Sequence, residues 1–100
     1  MIDLQPRYLT TVQTVLQGGL PPDTAVWAFG SRVNGTAIEG SDLDLVVRHA
    51  DGKTVDLAAL KAAFRDSNLP FRVELLDWAT IPEHFRREIL VCYEALPVRG

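Results

Sequence analysis

The sequence predicts a small α/β (α+β) domain in which a three-stranded sheet is covered by helices. Three observations lead there. Short apolar runs of strand length occur at residues 25–29, 43–48 and 71–76. They alternate with segments whose apolar residues recur every three or four positions, the helical period. Gly, Pro, Asn or Ser marks the changes of pattern. At 100 residues the chain has the length of one ordinary domain, so residues 1–100 are read as a single unit without a separate substrate domain.

Pro6 suits the first turn of a helix, and Tyr8, Leu9, Val12, Val15 and Leu16 follow at helical spacing until Gly18, Gly19, Pro21 and Pro22 end it. Ala25 to Phe29 then forms a buried strand that stops at Gly30. Ser31 to Ser41, rich in Gly, Asn, Thr and Ser, reads as a loop with one helical turn at its start. Leu43 to Arg48 is the second strand, and His49 to Lys53 turns through Asp51-Gly52. Thr54 is the expected N-cap of a helix carrying Leu57, Leu60 and Phe64 on its apolar face and ending near Ser67-Asn68. Phe71 to Leu76 is the third strand. Thr80 and Glu83 have capping-box spacing, and Ile81, Phe85, Ile89 and Tyr93 predict a last helix running up to Pro97, with Cys92 buried beside its stripe.

Composition narrows the function classes. A net charge of −3 argues against a protein that holds nucleic acid by neutralising phosphates, so nucleic acid is not an expected partner. A small nucleotide remains compatible, because a metal can carry the positive charge. The single Cys92 excludes an intramolecular disulfide and a multi-thiolate zinc site, and fits a reducing cytoplasm. No segment approaches the roughly 20 apolar residues that span a bilayer, and the start of the chain lacks a signal-peptide core. The expectation is a soluble, cytoplasmic protein with no membrane partner.

The chemistry concentrates in three places. Asp42 and Asp44 flank Leu43, and alternation along a strand sends both carboxylates to one face while Leu43, Leu45 and Val47 face the core. Paired carboxylates suit magnesium, which is commonly held by one or two of them together with substrate phosphates. Gly30-Ser31 ends a buried strand, where the backbone can approach a bound group. If residues 31–35 begin a helical turn, their N–H groups face a phosphate, and Arg32 adds a charge contact. Glu74 sits among apolar strand residues, an expensive place for an unpaired carboxylate. If its strand lies beside the second, it completes a three-carboxylate cluster able to hold two cations about 3.5–4 Å apart.

Blander readings compete with each of these. Gly30-Ser31 can be a tight turn and Ser41-Asp42 a cap, and Glu74 can be a solvent-facing residue or an ion-pair partner of Arg72 or Lys61. Asp77 reads as a strand-end residue, His49 and His84 as surface residues, and Trp27 and Trp78 as core or interface residues, with base stacking open to Trp78.

Gly30-Ser31-Arg32-Val33-Asn34-Gly35-Thr36-Ala37 followed by Ser41-Asp42-Leu43-Asp44-Leu45 resembles the signature of the DNA polymerase beta-like nucleotidyltransferase superfamily, and within it the minimal nucleotidyltransferase (MNT) family. The likeness runs along nearly the whole chain. It implies the polymerase beta-like nucleotidyltransferase fold, a small mixed three-stranded sheet flanked by helices. It also implies a magnesium-dependent transfer of a nucleotidyl group, AMP from ATP, to a hydroxyl acceptor. Triphosphate binding passes to Gly30 and Ser31, and magnesium binding and catalysis to Asp42, Asp44 and Glu74. Family members often pair with a small helical HEPN toxin, which implies such a protein as partner and acceptor. Exposed apolar residues near Trp78 or Leu96-Pro97-Val98 are the expected contacts. Two positions depart from the pattern: Asn34 stands where a basic residue is usual, and Glu74 where Asp is usual. They support the alternative of a degenerate MNT module that neutralises its partner by contact alone.

Overall fold

The computed structural model describes residues 2–98. Helix α1 (Pro6–Gly19) begins at the proline, whose missing N–H has no intrahelical partner to lose in the first turn, and it buries Val12 and Leu16. Strand β1 (Thr24–Phe29) runs into the short helix α2 (Ser31–Asn34). Strand β2 (Leu43–His49), helix α3 (Ala58–Arg65), strand β3 (Val73–Asp77) and helix α4 (Glu83–Val91) follow, and strand β4 (Tyr93–Leu96) closes the described chain.

The sheet is mixed, in the order β3-β2-β1-β4. β1 lies antiparallel to both β2 and β4, while β2 and β3 run parallel. A parallel pair needs a crossover, and α3 supplies it. One face of the sheet presents Val26, Ala28, Leu43, Leu45, Val47 and Leu75, and packs with Val12, Leu16, Leu60 and Phe64 of α1 and α3 into the main core. The opposite face carries Phe29 and Val46, which pack with Ile89 of α4 and with the partly buried Trp27, Leu76, Trp78, Ile81 and Phe85. Since Leu43, Leu45 and Val47 are 1% exposed or less, the alternate residues Asp42 and Asp44 fall on the α4 side.

The fourth strand corrects the three-strand expectation. Residues 93–96 are extended rather than the end of a helix, because α4 stops at Val91 and Cys92 already has extended angles (φ −151°, ψ 101°). The open edge of β1 captures the segment: Phe29 pairs with Tyr93 and Val26 with Leu96, and the Tyr93 ring lies 4.5 Å from that of Trp27. Ladder bonds and a buried Leu96 outweigh a helical period that was only approximate. Cys92, expected to be buried, is exposed because it lies past the helix that would have turned it inward.

Two caps differ as well. α3 starts three residues later than Thr54 predicts, with Leu57 at the N-cap, and the Asp56 carboxylate accepts from the Ala58 N–H instead. No capping box joins Thr80 and Glu83. Pro82 occupies the N-cap position, and the Thr80 hydroxyl donates to the Asp77 carbonyl. Asp77 ends β3, as expected of a strand-end residue, and its carboxylate accepts from the N–H groups of Val55 and Ala79. Trp27 and Trp78 meet edge to face at 5.3 Å, as packing residues. Among the described residues no helix is long and apolar enough to cross a membrane.

Candidate active site at the β1–α2 turn

Gly30 is the hinge between β1 and α2. Its backbone has φ 79° and ψ −155°, a conformation open essentially only to glycine. Its carbonyl accepts from the N–H groups of Val33 and Asn34, which starts α2. A Cβ here would collide with Oδ2 of Asp44 and stand 3.3 Å from its Cγ. Glycine is therefore required twice, for the turn and for the room that Asp44 occupies. Gly30→Ala is expected to lower stability by about 1–3 kcal/mol through backbone strain. It should also weaken triphosphate binding by displacing Asp44, to be read by thermal melting and calorimetric titration with ATP. An unchanged affinity would separate the turn from the site.

The register assembles the carboxylates. Asp44 lies opposite Phe29 on one side and opposite Glu74 on the other. One step beyond the Leu43–Val73 pair, Arg72 lies opposite Asp42, with the Leu43 N–H donating to the Arg72 carbonyl at 2.9 Å. Alternation puts Arg72 and Glu74 on the same face as Asp42 and Asp44. Burial, then the charges of Glu74 and Asp42, raise the Asp44 carboxyl above its ordinary value, while Arg72 pulls the other way. Such mutual repulsion is what a divalent cation relieves, so an all-oxygen donor set of this kind fits magnesium.

Asp42 and Glu74 also converge on Arg72. Its Nη2 and Nε donate to Oδ2 of Asp42 at 2.7 and 3.2 Å, and Nη2 stands 3.6 Å from Oε2 of Glu74. Among the described residues no three His, Cys, Asp or Glu side chains form a ready-made ligand set. The cluster is an open surface: Asp42 is 39% and Glu74 46% exposed. A cleft of about 700 Å³, lined in part by Asp3, Tyr8, Arg32, Ile38 and Phe71, includes none of the three carboxylates.

Gly30, Asp44 and Glu74 are thus brought together, with Asp42 beside them and Ser31 opening α2. Arg32 is placed differently from the phosphate contact expected of it. Its Nε donates to the Ser41 carbonyl and its Nη1 to the Asp3 carbonyl, and its guanidinium lies 4.4 Å over the Phe71 ring. Here it ties down the loop that leads to Asp42. Asn34 has a local task too, its Oδ1 accepting from the N–H and hydroxyl of Thr36. The residue undervalued in the sequence is Arg72. The signal was present, since Arg72-x-Glu74 repeats the spacing of Asp42-x-Asp44, but only the register shows that the two pairs face each other.

A family model described as a nucleotidyltransferase domain matches residues 11–96. The chain is 48% identical over 95 residues to a Haemophilus influenzae protein named probable protein adenylyltransferase MntA, covering 92% of this chain and 81% of that one. A crystal structure described as a toxin-antitoxin with AMP-PNP has a TM-score of 0.73 at 22% identity, over 92% of this chain and 74% of that chain. The toxin-antitoxin MntA-HepT has a TM-score of 0.66 at 19% identity, over 95% and 74%. At those identities the two structures bear on the fold.

Proposed function

Because the chain belongs to the nucleotidyltransferase domain family, we propose that it transfers AMP from magnesium-bound ATP to a hydroxyl group on a partner protein, a small helical toxin of the HEPN type. The observation that carries the reading is the close approach of Gly30 to Asp44, with Glu74 directly across the parallel ladder. It joins a Gly-Ser turn suited to phosphates to the carboxylates suited to a cation.

In this reading the turn at Gly30 and Ser31 would hold the triphosphate, and Asp42, Asp44 and Glu74 would hold magnesium. Magnesium, when bound, neutralises charge developing on the attacking and leaving oxygens. Glu74 takes the proton of the acceptor hydroxyl as that oxygen attacks the α-phosphorus. The new O–P bond forms in line with the breaking Pα–O bond, and pyrophosphate leaves.

The protein acceptor is supported by the name of the Haemophilus influenzae relative and by the toxin-antitoxin assemblies with which the fold is shared. Three exposed apolar residues gather at the α4–β4 junction, where Val91 is 86%, Leu90 49% and Tyr93 41% exposed. Leu96, expected at that contact, is buried in the main core instead. The test is to incubate the protein with ATP, magnesium and the product of the neighbouring gene, and to weigh the partner intact. A stable complex whose partner gains the mass of AMP is expected. A partner that binds with unchanged mass, and is neutralised without ATP, would replace transfer with the contact-only module.

A further inference from the structure

Three carboxylates on one face share a single base. Asp44 and Glu74 lie on adjacent strands with Asp42 just before β2, and Arg72 faces two of the three, with both Nε and Nη2 on one oxygen of Asp42 and Nη2 within ion-pair range of Glu74. The backbone of Arg72 is fixed by its bond from Leu43, but its side chain is 71% exposed. It can swing away without disturbing the core, and an exposed ion pair of this kind is weak and readily exchanged. A divalent cation and the guanidinium draw on the same carboxylates, and the Nε and Nη2 bonds already take up both lone pairs of Oδ2 of Asp42.

We propose that Arg72 competes with the divalent cation for Asp42 and Glu74, so that it is displaced as the metal binds and sets the metal affinity of the site. The inference rests on the magnesium-binding reading above. Arg72 is then a positioning residue: it keeps the carboxylates neutralised and oriented until the metal takes them over. Its planar fork matters as well as its charge, since two nitrogens on one carboxylate oxygen hold Asp42 in one orientation.

The test uses Mn²⁺ as the probe, without nucleotide, at low ionic strength, on wild type, Arg72→Gln and Arg72→Lys. Removing one unit charge next to a divalent ion at a surface should tighten Mn²⁺ binding by Arg72→Gln on the order of tenfold. The gain should shrink as added salt screens the charge. Arg72→Lys, which keeps the charge and loses the fork, should lie between the other two. Wild type alone gives a second readout: Mg²⁺ should move one arginine Nε–Hε resonance in its NMR spectrum, the one missing from Arg72→Lys. Equal or weaker Mn²⁺ binding by Arg72→Gln, or an Arg72 resonance unmoved at saturating Mg²⁺, overturns the competition and leaves the metal site standing. Failure of all three proteins to bind Mn²⁺ overturns the metal reading and this inference with it.

Discussion

Replacing Asp42 and Asp44 together by Asn is expected to abolish magnesium-dependent binding of ATP and to leave the fold as stable as before, or more so. The two residues supply half of the charged groups in the Asp42–Arg72 and Asp44–Glu74 pairs, yet nothing apolar depends on them, because Leu43, Leu45 and Val47 carry the packing of β2. Losing the exposed Asp42–Arg72 ion pair costs about 0–1 kcal/mol. Against that, the carboxyl of Asp44 is raised from its ordinary 3.8 by burial and by its two acidic neighbours. The folded protein therefore binds that proton more tightly than the unfolded chain, and the charged form is a burden on the fold at neutral pH. The burden is fully present above the raised folded value and vanishes below the unfolded value of 3.8. The gain in melting temperature of Asp44→Asn over wild type should accordingly be largest at neutral pH and disappear as the pH falls through that interval. A double variant that unfolds at neutral pH would make the aspartates structural and remove them from the site.

The second large effect is expected at Glu74. Glu74→Gln keeps the shape and removes the basic oxygen, so transfer should fall by about 10²–10⁴-fold, the usual contribution of a positioned proton acceptor. Nucleotide binding should be weakened far less than transfer, since in the proposed reading Gly30, Ser31, Asp42 and Asp44 remain to support it. Glu74→Asp shortens the reach by about 1.5 Å, one carbon–carbon bond, and brings the carboxylate to the length usual in the family. It should retain activity or improve it, because a shorter side chain has fewer rotamers to fix. Equal rates in wild type and Glu74→Gln would take Glu74 out of the mechanism.

Much of this arrangement was legible in the chain itself. Alternation along residues 42–47 placed two acids on one face and three apolar residues on the other, and burial of Leu43, Leu45 and Val47 agrees. Gly30 marked the end of β1 because its φ suits no other residue well. β4 was not legible, since an edge strand is chosen by the neighbour that needs pairing, and Tyr93 and Leu96 also fit a loose helical spacing. The Arg72–Asp42 contact was hidden for a related reason. The two residues are 30 positions apart and meet only through the parallel register of β2 and β3. Arg32 illustrates a third limit: a basic residue beside a Gly-Ser turn looks like a phosphate ligand until the carbonyls of Ser41 and Asp3 are seen to engage it.

The transfer itself is tested most directly by following ATP labelled at the α-phosphate or at the γ-phosphate, with magnesium and the co-purified partner. The proposed site predicts that α-label becomes covalently attached to the partner and that γ-label leaves as pyrophosphate, with both signals lost on chelation of magnesium and in Asp42→Asn/Asp44→Asn. Attachment of γ-label would make the reaction phosphoryl transfer. Silencing of the partner with neither label attached would contradict nucleotidyl transfer at these carboxylates altogether.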